Sequence, residues 1–310
     1  MKCVIFGGGG FLGTAISDRL LLDGHELRIF EKSSTPKYRK FEPNEKIEWM
    51  TGDILNKNDI NNAIDGYDVV VHLISTTLPK SSNEDPIYDI QSNLISSINL
   101  LDSMVKKEVN KIIFISSGGT IYGRPKYLPI DEKHPTDPMV SYGIVKLAIE
   151  KYILMYNHLY NLNGTILRVS NPYGEHQRIG GGQGAVGVFI NDAINHKTIK
   201  IWGDGKVKRD YIYVKDVAEA FAKAITYSGQ QRIFNISSGY GTSINELIKK
   251  IEYVIGYEID REYLPGRPFD VPTSILSNEL AKNCLEWMPT VTLDEGLYRT
   301  THWIQSFSSV

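Results

Sequence analysis

Residues 2–13 read KCVIFGGGGFLG: a short apolar run, four consecutive glycines, and the opening of a helical pattern. The run Lys2–Phe6 has the length and composition of a buried strand. Gly7, Gly10 and Gly13 then recur every third residue, as in one variant of the dinucleotide-binding turn. Each has a separate task there. Gly7 permits a tight turn, Gly10 lets a pyrophosphate approach backbone N–H groups, and Gly13 lets helix and strand pack closely. The backbone through Phe11 and Leu12 is expected to complete the phosphate cradle at the helix N-terminus. A glycine pattern alone is weak evidence, but here a strand precedes it and a helix follows.

Outward from this turn, short apolar runs alternate with helical patterns. The runs are Glu26–Phe30, Glu48–Thr51, Asp68–Leu73, Lys111–Ser116 and Thr165–Val169. Helical segments such as Leu12–Leu22, Ile90–Lys107 and Ser141 to about Tyr160 lie between them. This alternation predicts an α/β protein with a Rossmann-type, doubly wound parallel sheet, covered on both faces, over residues 1–170. After Asn171 glycine-rich and irregular stretches appear, and Glu262–Pro272 reads as an extended loop. Residues 171–310 are therefore expected to form a smaller substrate-binding lobe over the C-terminal edge of the sheet, with some chain crossing back to it.

Composition narrows the function. The 310 residues carry a formal net charge of −2, with 42% hydrophobic and 23% charged residues. Nothing in that balance calls for nucleic acid or a charged membrane surface. The two cysteines, Cys3 and Cys284, suggest no disulfide framework. No stretch reads as a signal peptide or a membrane span, so a cytoplasmic protein is expected.

Glu31 closes the second strand about 20 residues after the glycines, where a carboxylate binds adenosine ribose and disfavours a 2′-phosphate. It predicts NAD rather than NADP. Asp53, followed by Ile54, could meet the adenine amine or simply cap a helix. Tyr142 and Lys146 in YGIVK stand four apart, on one face of the long helix. An ammonium beside a phenol favours phenolate and suits the tyrosine to acid–base work.

GGGGFLG, SSGGTIYG, YGIVK, NPYG and WGDGKVKRDYIYVKDV occur here in the order seen in extended short-chain dehydrogenases/reductases. The chain resembles their nucleotide-sugar epimerase/dehydratase family, nearest its UDP-glucose 4-epimerase-like members. The resemblance implies that Tyr142 is the acid/base and that Lys146 tunes it and holds the cofactor. The family's catalytic serine position falls on Gly118, a departure that leaves Thr120, with Ser117 in reserve, as the third catalytic hydroxyl. Leu73, Ser75 and Asn93 fall where the family lines the cofactor groove. Asn171, Arg209, Arg267 and Asp270 fall on positions that hold the nucleotide-sugar, the arginines as a diphosphate clamp. Ser274, four after Asp270, stands where a large residue would restrict the group at sugar C2, so N-acetylhexosamines are expected to fit. No metal is expected, and a homodimer is.

Three chemistries share such a scaffold. A 4,6-dehydratase needs an Asp-Glu pair in the strand-end loop, where this chain has Gly119-Thr120. That leaves a nucleotide-sugar 4-epimerase as the expected activity. A 4-keto-sugar reductase using NAD(P)H is the enzymatic alternative, and an NAD-binding regulatory protein the non-enzymatic one.

Overall fold

The computed structural model describes residues 1–178, 184–266 and 271–308. Along the chain the first half runs β1 (Lys2–Phe6), α1 (Phe11–Leu22), β2 (Glu26–Glu31), β3 (Ile47–Thr51), α2 (Lys57–Ile64) and β4 (Val69–His72). There follow α3 (Ser81–Glu84), α4 (Pro86–Asp89), a π-helical stretch Ile90–Ile95 that runs into α5 (Ser96–Lys106), β5 (Lys111–Ser117), α6 (Ser141–Tyr160) and β6 (Asn163–Val169). The second half runs β7 (Asn171–Tyr173), α7 (Ala185–Ile194), β8 (Ile199–Trp202), β9 (Lys208–Tyr213), α8 (Val214–Thr226) and β10 (Ile233–Ile236). It ends with β11 (Gly241–Ser243), α9 (Ile244–Ile255), β12 (Arg261–Leu264), β13 (Thr273–Ser274), α10 (Glu279–Leu285) and α11 (Leu293–Ser308).

Seven strands form one sheet in the order β10-β6-β5-β4-β1-β2-β3. Every pairing in it is parallel. The chain winds outward from β1 to β3, returns to β4 beside β1, and winds the other way. The reversal leaves a crevice at the C-terminal ends of β1 and β4, the place where open α/β sheets bind ligands. The strands are apolar almost throughout because helices cover both faces. Val4, Phe6, Val70, Ile112 and Phe114 pack with residues of α2, α5 and α6 on one side. Cys3, Ile5, Val71 and Ile113 pack with α1, α8 and α10 on the other.

The two halves interleave more than a boundary at residue 170 suggests. Strand β10 extends the main sheet beside β6, and α8 lies against α1. Apart from α10, which packs on the main sheet, the remaining second-half elements build a separate layer. Strands β7, β11 and β13 all pair with β9, β8 pairs with β12, and α7, α9 and α11 enclose a third apolar cluster. The loop expected over Glu262–Pro272 needs correction at its start, because Arg261–Leu264 pairs in register with Ile199–Trp202. Parallel pairing with a distant strand overrides the local signal of the prolines, which fall after it.

Candidate functional site

The glycine turn sits at the switch point. Gly7 has φ +89°, and a Cβ there would lie 3.2 Å from the backbone N of Ile74 beyond β4. At Gly13 a Cβ would stand 2.2 Å from the Gly7 carbonyl oxygen, so only glycine lets α1 start this close to β1. Helix α1 begins with Gly10 as its cap, without a side-chain hydrogen bond there and without an acid in the first turn. Its uncapped N–H groups and positive dipole end face the crevice, a setting suited to a pyrophosphate. Phe11, Leu12 and Leu73 are half-buried around it.

Glu31 ends β2 beside this turn, and its Oε1 accepts from the Gly9 N–H at 2.9 Å. Burial pushes its carboxyl up from the usual range, against hydrogen bonds from Gly9 N–H and the Thr35 hydroxyl. The acid is thus braced against the glycine turn. Asp53 behaves more locally: its Oδ1 accepts from Leu55 N–H at 3.0 Å and its own N–H donates to Asp59. Ile54 sends its side chain into the core, 1% exposed, so only its backbone is available to a cofactor.

Helix α6 carries Tyr142 and Lys146 up to the same crevice. Gly143 makes this possible, since a Cβ there would come within 2.9 Å of the Thr120 carbonyl oxygen. The strand-end loop can therefore lie directly on the first turn of the helix. Lys146 is buried, and its Nζ donates to the Ile115 carbonyl at 3.1 Å. Its Nζ lies 5.7 Å from the centre of the Tyr142 ring. Burial lowers the Lys146 ammonium to about 8, with Asp89 and Glu150 opposing the fall. The half-buried Tyr142 phenol is pushed up to about 12 by desolvation; a hydrogen bond with the Ser75 hydroxyl works against that, and Asp89 adds to it. Ser75 thus stands at the phenol.

One turn beyond Lys146, Glu150 locks the helix to the sheet. It pairs with Arg168 of β6 at 2.6 Å and accepts from the Ser116 hydroxyl, all of them buried. Arg168 also donates to the Tyr122 hydroxyl, and Tyr122 to Asn235 of β10. A buried pair with this many hydrogen bonds fixes geometry more than it adds stability.

The departure at Gly118 has a steric cause. A Cβ there would stand 2.3 Å from Cδ1 of Leu276, so a leucine from the second half fills the space a serine would need. Thr120 Oγ1 is buried without a hydrogen-bond partner among the described residues, and a Cβ at neighbouring Gly119 would meet only Asn171 Oδ1, at 3.9 Å. Ser117 is half-buried. Of the two hydroxyl candidates, Thr120 is the one whose oxygen is both buried and without a partner among the described residues.

The second-half residues are only partly on view. Asn171 Nδ2 donates to the Asp210 carbonyl at 2.9 Å, and Arg209 Nη1 donates to the Val271 carbonyl at 2.6 Å. Ser274 is buried in β13, directly opposite Arg209 in the parallel pair. Arg267 and Asp270 lie outside the described residues. Several buried acids carry no role expected from the sequence, Asp210 and Asp89 among them. Asp210 ties β9 to Ser238, Gly239 and Leu276. Asn93, expected in the cofactor groove, bonds Thr76, Thr77 and Asp89. Asp89 belongs to no motif read from the sequence; Asp210 lies within WGDGKVKRDYIYVKDV, directly after Arg209, but carries no expected role there.

A doubly wound parallel sheet, a glycine cradle at its switch point and a tyrosine–lysine face over the same crevice define an extended short-chain dehydrogenase/reductase. The model of the NAD dependent epimerase/dehydratase family matches residues 3–237, and the chain belongs to that family. It is 33% identical to a UDP-glucose 4-epimerase of Mycolicibacterium smegmatis, over 99% of this chain and 100% of the relative. It is 32% identical to a dTDP-4-dehydro-6-deoxyglucose reductase of Escherichia coli, over 95% of this chain and 94% of the other. Its structure matches that of UDP-glucose 4-epimerase with UDP-glucose from Thermotoga maritima, with a TM-score of 0.93 and 33% identity, covering 99% and 100% of the two chains. NAD is the family's cofactor, and the uncapped α1 terminus and the glycine cradle fit its pyrophosphate. Among the described residues, no helix is long and apolar enough to cross a membrane.

Proposed function

We propose that this protein inverts the C4 centre of a nucleotide-activated hexose by transient oxidation to the 4-keto sugar. The observation that carries this reading is the Tyr142–Lys146 face set beside a strand-end loop that offers a hydroxyl and no carboxylate pair. Such a site can move the O4 proton and has nothing to remove water across C5 and C6. Bound NAD supplies the hydride acceptor and donor at C4. Tyr142 takes the proton of the sugar O4 hydroxyl and returns it after the sugar presents its other face. Lys146, protonated, favours the phenolate that this requires. Thr120 offers its unpartnered hydroxyl to the sugar, while Arg209, with Arg267, holds the diphosphate through charge-assisted bonds. Glu31 favours NAD over NADP.

For the sugar, the small buried Ser274 supports a UDP-N-acetylhexosamine alongside UDP-glucose. Replacing it with tyrosine should selectively depress kcat/KM for the acetylated substrate; equal effects on both sugars would remove this assignment. A homodimer is also proposed: Ile87, Ile90, Ile95, Ile144 and Leu159 are exposed apolar residues on α4, the π-helical stretch and α6, for sedimentation to test. The activity itself is tested by incubating the protein with UDP-, dTDP- and GDP-hexoses without added cofactor. New C4 epimers support the proposal. Turnover that consumes NAD(P)H and acts only on 4-keto sugars would replace it with the reductase reading, which the likeness to the Escherichia coli enzyme favours.

A further inference from the structure

Asp89, the last residue of α4, is fully buried (0% exposed). A carboxylate removed from water is costly unless charge or hydrogen bonds compensate it. Among the described residues Asp89 forms no ion pair, and uncharged donors surround it. Thr77 Oγ1 at 2.6 Å and Asn93 Nδ2 at 2.9 Å donate to Oδ1, and Ser141 Oγ at 2.7 Å donates to Oδ2. These donors come from three places. Thr77 lies in the loop after β4, Asn93 in the π-helical stretch, and Ser141 opens α6 immediately before Tyr142.

The loop is pinned further. Thr76 N–H donates to Asn93 Oδ1 at 2.9 Å, and the Ser75 hydroxyl donates to the Thr77 carbonyl at 3.2 Å. Ser75 is the residue whose hydroxyl meets the Tyr142 phenol. One carboxylate therefore holds both walls of the tyrosine: its backbone through Ser141, and its hydroxyl partner through the loop. The π turn suits this, since its extra width brings Ser92 and Asn93 inward together, and such turns recur at functional sites.

The electrostatics point the same way. Among the described residues, four charged or titratable groups surround the Tyr142–Lys146 pair: His72 from β4, Glu150 from α6 itself, Arg168 from β6 through Glu150, and Asp89 from α4. His72 is pushed down to about 3 by burial and is neutral at working pH. Glu150 is matched by Arg168. Asp89 is the unmatched charge.

We propose that Asp89 is the positioning residue of the Tyr142–Lys146 pair, clamping Ser141 and the Ser75 loop together and supplying the anion that retains the pair's protons. The proposal rests on Tyr142 and Lys146 as the proton-handling pair of the proposed function. The test is Asp89→Asn, nearly isosteric, in the NAD-loaded protein. Follow Lys146 by NMR of its labelled ε-carbon, assigned by its loss in Lys146→Met. The Lys146 midpoint should fall by about one pH unit, the scale of one nearby charge. Both limbs of the kcat–pH profile should move to lower pH with it, because the anion raises both groups. An unmoved midpoint in folded protein overturns the proposal, whatever happens to activity. Ser141→Ala, which keeps the charge and cuts the tether, should lower kcat severalfold with the limbs in place and substrate KM within twofold. If Asp89→Asn does not fold, Ser141→Ala and Thr77→Val decide, and unchanged kcat in both overturns the clamp. The NMR titration needs no substrate, so a protein inactive on every sugar nucleotide would sink the proposed function and leave this test intact.

Discussion

Restoring a serine at position 118 should damage this protein, and the damage should be relieved by trimming Leu276. A Cβ at 118 would lie 2.3 Å from Leu276 Cδ1 and 3.2 and 3.3 Å from the carbonyl oxygens of Arg168 and Val169. The carbonyls belong to β6 and its pairing with β5, so they cannot give way. The leucine must retreat by about 1 Å to reach ordinary contact. It is 1% exposed and packed with Ile121, Tyr122 and Ile130, which leaves no empty space to retreat into. Overpacking of this kind costs about 1–3 kcal/mol. Leu276→Ala alone should cost about 2–5 kcal/mol for the cavity it leaves. The serine occupies part of that cavity in the double variant, so the combined loss should fall short of the sum by at least about 1 kcal/mol. The assay is urea unfolding of all four proteins at one saturating NAD concentration, because bound cofactor shifts apparent stability. Function gives a second reading. Thr120→Val should cost about a hundredfold in kcat on the wild-type background, at the low end for a group that assists proton transfer. It should cost much less where the serine hydroxyl has been returned. Additive stabilities, or a Gly118→Ser protein as stable as wild type, would refute the claim that Leu276 excludes the serine.

Tyr142→Phe should fold, bind NAD and lose at least about a hundredfold in turnover; near-normal turnover would end its assignment as acid/base. Glu31→Ala should narrow the preference for NAD over NADP measured on cofactor-free protein, and tighter NADP binding by the unaltered protein would reverse that assignment. Lys146→Met should be inactive yet more stable at neutral pH. The lysine falls from 10.5 to about 8 on folding, so keeping it charged costs up to about 3 kcal/mol below pH 8. The cost fades as pH rises from about 8 to 10.5, and the stability gain of Lys146→Met should fade with it. A gain that does not change with pH would place its origin elsewhere.

Much of the first half could be read directly. The six early strands and the long helix Ser141–Tyr160 stand where their apolar runs and 3.6-residue spacing put them, because buried strands and amphipathic helices each leave a local pattern. Ile90–Lys107 reads as one helix but begins with a π turn, whose extra residue serves contacts to Asp89 and the β4 loop rather than any local preference. Strand β12 was hidden by the prolines that follow it, since its partner among the described residues is β8, some 60 residues earlier in the chain. Asp89 lies in EDPIYD, and nothing beside it in sequence signals burial.

The sequence by itself determined the strand–glycine–helix turn, the tyrosine and lysine on one helical face, and the absence of a carboxylate pair at Gly119-Thr120. Each depends on residue type and spacing within a few turns of chain. Only the tertiary structure decided which hydroxyl is buried without a partner, why position 118 holds glycine, and which acid stands behind the tyrosine–lysine pair. Those answers lie in contacts between residues far apart in the chain: Leu276 against Gly118, Ser141 on Asp89, Arg168 on Glu150. Close packing makes such contacts specific to within an ångström, and a linear pattern carries no record of them until the sheet has closed.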